Sequence, residues 1–104
     1  IKEEIGDQEG VATSLHNIGE TLLKLENYSE AERKIQESLV ISREIGYQYL
    51  IAHSLKVLAE IAHKTNRPDL ALNYCQQALE LCQQLGIPLV GECEQLLTQI
   101  QSKL

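Results

Sequence analysis

Apolar residues recur along the chain at steps of three and four. Val11, Leu15, Ile18 and Leu22 share one stripe of a first helix. Ala31, Ile35, Leu39 and Ile45 mark the inward side of a second, and Ile51, Leu55, Leu58 and Ala62 that of a third. A fourth carries Ala71, Tyr74, Cys75, Ala78, Leu79, Cys82 and Leu85. Strand-like alternation is absent, so the pattern predicts an all-α chain. The breaks are short, as helix hairpins require. Asp7 is the expected N-cap of the first helix, and Glu26-Asn27 its exit, with asparagine tolerating the left-handed conformation. Ser29-Glu30-Ala31-Glu32 has the form of a capping box, and Pro68 suits an opening helical turn.

Gly6, Gly46 and Gly86 stand 40 residues apart, each after Ile5, Ile45 or Leu85. At the same spacing Ala12/Ala52, Ser14/Ser54, Leu15/Leu55, Glu20/Glu60, Lys24/Lys64, Ala31/Ala71 and Leu39/Leu79 coincide. A period in this range means one supersecondary unit stacked on copies of itself, because a single unit cannot bury its apolar face alone. The three glycines are read as helix C-caps, giving an α-solenoid of antiparallel hairpins with about five helices plus a partial N-terminal turn. Residues 1–5 read as the end of a truncated preceding helix, 6–45 and 46–85 as two full units, and 86–104 as one more helix. In that last helix a shift of 40 would put Gln95 and Thr98 in the core. A shift of 38 instead aligns Ile51, Leu55, Leu58 and Ala62 with Leu89, Cys93, Leu96 and Ile100, and is preferred.

Small residues stand where paired helices must approach closely: Ala12/Ala52, Gly19/Ala59, Ala31/Ala71 and Ser38/Ala78. Leu15-x2-Ile18-Gly19-x2-Leu22 followed by Ala31-x3-Ile35-x2-Ser38 closely resembles the tetratricopeptide repeat pattern. The second unit matches it through Leu55-x2-Leu58-Ala59-x2-Ala62 and Ala71-x3-Cys75-x2-Ala78-Leu79. The usual unit is about 34 residues and often closes with proline. This chain looks like the longer variant found beside nucleotide-binding regulatory domains in bacterial signalling proteins. HEAT and armadillo repeats are nearer in length but lack the Gly/Ala pairing. The resemblance implies a right-handed solenoid that presents a concave surface to a protein or peptide. The alternative it implies is a ligand-sensing regulatory segment of a signal-transduction ATPase.

In the family the first helix of each hairpin lines the concave side. That implies a partner-binding row of His16, Glu20 and Lys24 in the first unit, and Tyr49, His53, Lys56, Glu60, His63 and Lys64 in the second. All three histidines and three lysines fall there, while Glu30, Glu32, Glu37 and Glu44 lie on a second helix. The expectation is a mixed to mildly basic groove on an acidic body, suited to an acidic or carboxylate-bearing peptide. A chaperone-type carboxylate clamp is not expected, because His16, Glu20 and Val57 occupy the corresponding places.

The net charge of −6 and pI near 5.0 argue against a nucleic-acid partner. No apolar run approaches a membrane span, so no membrane partner is expected. No phosphate loop, nucleophile elbow or paired-carboxylate motif is present, so an enzyme, a cofactor and a metal are not expected. Cys75, Cys82 and Cys93 are an odd number without metal-type spacing, which fits a reduced, cytoplasmic setting and buried, inert thiols. Apolar faces left open at the two ends of a short stack also imply self-association, end to end or by swapping.

Overall fold

The computed structural model describes residues 2–104 and, among these, five helices and no strand. They are α1 (Lys2–Lys24), α2 (Tyr28–Ile45), α3 (Gln48–Lys64), α4 (Pro68–Leu85) and α5 (Leu89–Gln101). Each helix packs antiparallel on the next, forming the hairpins α1–α2 and α3–α4 with α5 closing the stack. This is the all-α hairpin array that the periodicity predicts.

Four residues in the left-handed region separate the helices: Glu26, Gly46, Asn66 and Gly86, with φ of 62°, 70°, 59° and 66°. They stand twenty residues apart. After each, the next backbone N–H reaches back into the finished helix: Asn27 to the Leu22 carbonyl (2.9 Å), Tyr47 to Ser42 (2.8 Å), Arg67 to Ala62 (2.9 Å) and Ile87 to Cys82 (3.2 Å). These are Schellman closures, which satisfy carbonyls that a helix end would otherwise leave open.

Several local expectations are corrected. Gly6 is not a C-cap and Asp7 is not an N-cap, because α1 runs unbroken through both. Tyr47 and Ile87, which follow the capping glycines, are half-buried, whereas Asp7 is exposed and gives a reversal at Gly6 no packing. Ile1 lies outside the described residues. In the first hairpin Glu26, not Asn27, takes the left-handed conformation. Asn27 instead caps α2, its carbonyl accepting from the Ala31 N–H at 3.0 Å. Ser29 therefore already lies within the first turn, and the capping box does not form.

Small side chains set the helix crossings. Ala12, Ala31, Ala52, Ala59, Ala71 and Ala78 are all fully buried. At Gly19 a Cβ would lie 2.5 Å from Cδ1 of Ile35, itself fully buried, so only glycine admits that crossing. The Ser38 hydroxyl donates to the Ala12 carbonyl at 2.7 Å across the same hairpin. The main core joins Ile35, Leu39, Leu55, Leu58, Ile61, Cys82 and Cys93, and a second cluster joins Cys75, Leu96 and Ile100. Leu89, Cys93, Leu96 and Ile100 are buried while Gln95 and Thr98 are exposed, which bears out the shift of 38 for α5.

In α1 the apolar stripe expected to face inward does so only in part: Leu15 and Leu22 are half-buried, and Leu22 packs on the main core. Val11 is 50% and Ile18 47% exposed. The buried row lies one residue on, at Ala12, His16 and Gly19. The equivalent residues of α3, Leu55 and Leu58, are buried because α3 packs on both its hairpin partner α4 and the preceding helix α2.

The glycines separate by role in a stability series. Gly46→Ala should destabilise by about 1–2 kcal/mol because alanine resists positive φ. Gly19→Ala should cost about 1–3 kcal/mol through overpacking against Ile35. Gly6→Ala, inside a helix with open space around it, should stabilise by roughly 0.5–1 kcal/mol. Urea unfolding measures all three. A Gly6→Ala loss matching that of Gly46→Ala would restore Gly6 as a helix end.

Candidate functional site

The backbones of α1 and α3, and of α3 and α5, come into contact, whereas those of α2 and α4 do not. Among the described residues α2 and the start of α4 are linked by long side chains. Gln36 Nε2 donates to the Tyr74 hydroxyl at 3.1 Å, and the Arg67 guanidinium forks onto both Glu32 oxygens at 3.1 and 3.2 Å. The stack is therefore tighter on the side of its odd-numbered helices, which makes α1, α3 and α5 the inner face.

That face carries two adjoining depressions. One, of about 320 Å³, lies between α3 and α5 and is lined by Lys56, Glu60, His63, Lys64, Glu92 and Gln95 among others. The other, of about 380 Å³, lies between α1 and α3, against Glu20, Leu23, Lys24 and the Glu26–Tyr28 turn. Lys56, Glu60 and Lys64 border both. Of the nine expected row residues, the structure thus brings together Glu20, Lys24, Lys56, Glu60, His63 and Lys64. Tyr49 and His53 lie farther toward the start of α3, where their rings meet at 4.5 Å.

His16 does not lie on the open row; it is 4% exposed and part of the α1–α3 contact. Its Nδ1 hydrogen-bonds the Ser54 hydroxyl at 3.2 Å, and its Nε2 stands 3.5 Å from the Glu20 carboxylate. The His53 ring meets it edge-on with centroids 6.2 Å apart. Burial holds His16 below the ordinary imidazole range; Glu20 pulls upward, while His53 and Lys56 push further down. His53 and His63 are lowered as well, chiefly by burial. The rings are therefore neutral at pH 7, His16 acting through its hydrogen bond to Ser54 and His53 through its ring contacts with His16 and Tyr49.

Lys56 is not a free cation. Its ammonium lies 2.7 Å from Glu60 and 3.2 Å from Glu92. Burial opposes its charge, but hydrogen bonds and Coulomb attraction from the two carboxylates outweigh that and raise its pKa. The expected mildly basic groove is accordingly redistributed. The middle is net acidic, with Lys56 held between Glu60 and Glu92 and Glu20 beside His16, and Lys24 and Lys64 stand exposed at the turn end. Sequence reasoning missed Glu92, the Ser54 partner of His16, and the turn residues Glu26 and Tyr28. Glu20, Lys56 and Glu92 are spaced by 36, a spacing at which the sequence can be searched directly.

The thiols sit away from this face. Cys75, Cys82 and Cys93 are buried and free, and burial pushes Cys75 up to about 11 and Cys93 up to about 12. Cys82 and Cys93 sulfurs approach to 3.9 Å, a pairing of α4 with α5 that the sequence did not reveal. Thiols so rarely ionised are poor nucleophiles. Among the described residues no group of three or more His, Cys, Asp or Glu is placed to hold a metal ion, and no helix is long and apolar enough to cross a membrane.

A family model described as Tetratricopeptide repeat matches residues 6–84. No curated protein and no solved structure gives a significant match.

Protonation of His16 has a stability signature. The unfolded imidazole titrates near 6.5 and the folded one lower, so between them the unfolded chain binds more protons. The contribution is complete above the unfolded value and is lost as pH falls through the folded one. His53 and His63 act in the same direction. Urea midpoints should drop from pH 7 to pH 5, and His16→Gln, which retains an amide for Ser54, should flatten that slope. An unchanged slope would contradict a buried neutral His16.

Proposed function

Because the chain belongs to the tetratricopeptide repeat family, whose repeats mediate protein–protein interaction, we propose that the face of α1, α3 and α5 binds an extended segment of a partner protein. The observation that carries this reading is the approach of the three odd-numbered helices, which puts two depressions side by side along α3. The family is in general a non-catalytic scaffold, so the work of this face is recognition.

Lys24 and Lys64 give the segment its acidic end. Both are exposed, both border the α1–α3 depression, and neither has an ion pair among the described residues. Carboxylates of a partner meet them without first displacing an internal partner. Lys56 acts differently: held by Glu60 and Glu92, it keeps α3 and α5 in register and contributes little net charge. At an exposed site such attraction raises association rate and selectivity more than total affinity, and it weakens with salt.

Lys24→Glu/Lys64→Glu should reduce capture of a pool of acidic peptides roughly tenfold at low ionic strength, with a smaller effect at high salt. Far-UV circular dichroism should stay unchanged, since both side chains are exposed. Equal capture by the variant and the parent chain would sink the assignment.

A further inference from the structure

The groove end opposite Lys24 and Lys64 has a different chemistry. Tyr49 is 52% exposed, and its ring leans on that of His53 at an interplanar angle of 47°. The two rings line a depression of about 180 Å³ closed by Ile87, Pro88, Leu89 and Glu92. Its lining therefore combines two aromatic rings, apolar side chains of the α4–α5 turn and one carboxylate. Glu92 is the more loosely held of the two carboxylates on Lys56, at 3.2 Å against 2.7 Å for Glu60. Its side chain is 62% exposed, and only its Oε1 is engaged.

We propose that this depression is a subsite for the guanidinium of an arginine in the bound segment. The planar group stacks on Tyr49 and His53, its methylene stem lies along Ile87 and Pro88, and its N–H groups donate to Glu92 Oε2. Aromatic faces attract a cation through their quadrupole, and a carboxylate alongside supplies a charge-assisted hydrogen bond. Guanidinium fits better than ammonium because it is flat, weakly hydrated and able to stack and donate at once. His53 stays neutral at pH 7, since burial lowers its pKa, so no imidazolium repels the incoming charge. The Glu20 carboxylate also acts on His53 and adds negative potential there, and Lys56 remains compensated by Glu60 when Glu92 turns toward the ligand.

The subsite rests on the groove reading and sharpens it. From His53 to Lys64 α3 rises about 16 Å, which an extended segment crosses in about five residues. The face is then built for a dipolar segment, with arginine at the start of α3 and a carboxylate at its end.

The test is selection from a random dodecapeptide library on the 104-residue chain and on Glu92→Gln, Tyr49→Ala and Lys24→Glu/Lys64→Glu. Retained peptides should carry arginine with aspartate or glutamate about five positions away. Glu92→Gln and Tyr49→Ala should remove the arginine preference and keep the acidic one, and the lysine double variant should do the reverse. In a resynthesised peptide, replacing arginine by the isosteric neutral citrulline should weaken Kd about tenfold for the parent chain and less than about twofold for Glu92→Gln. Peptides enriched in acidic residues without arginine, or with lysine in equal measure, would overturn the guanidinium subsite and leave the groove standing. No enrichment, or enrichment indifferent to every variant, would overturn both.

Discussion

A left-handed residue every twenty positions is the constraint on which the rest of this structure depends. Each reverses the chain and ends one helix, so α2, α3 and α4 come out at nearly equal length and every neighbour runs antiparallel. Two of the four positions are glycine, where positive φ carries no steric penalty. The other two, Glu26 and Asn66, sit in that conformation against their side chains' preference, asparagine at less cost than glutamate. What holds them there is the pair of backbone hydrogen bonds in each closure and the packing of the two helices that it joins.

Given those reversals, small residues decide how closely the helices stack. The Gly19–Ile35 contact and the row of fully buried alanines bring α1 onto α2 and α3 onto α4. The unequal spacing on the two sides of the stack then creates a face. Where the odd-numbered helices come close, their outer rows converge into depressions; where α2 and α4 stand apart, Arg67 and Gln36 span the gap. The inner face is consequently a by-product of curvature, and its chemistry is whatever side chains the first helix of each hairpin carries there.

Much of the fold was legible because a repeat announces itself at a fixed spacing. The forty-residue period marked the hairpins, and the requirement that Gln95 and Thr98 stay out of the core placed α5 in its register. The site was legible only in part, since its contacts run between units. From its place in its own unit His16 belongs to the open row, yet its partner is Ser54 on the next first helix. A signal was present: Ala12, His16, Gly19 and Leu23 form a stripe parallel to Val11, Leu15, Ile18 and Leu22, and the small residues mark it as the one that meets a helix. The pairing of Lys56 is likewise hidden from its own unit, because Glu92 reaches it from another helix. Gly6 misled for the opposite reason. It matches the period but lacks the half-buried follower that makes a reversal worthwhile at Gly46 and Gly86.

Recognition by the face of α1, α3 and α5 can be checked by amide chemical-shift mapping on binding a captured partner segment. Perturbations are expected at Glu20, Lys24, His53, Lys56, Lys64 and Glu92, with Arg33, Glu37, Gln77 and Glu80 on the even-numbered helices unmoved. Perturbations confined to α2 and α4 would contradict it.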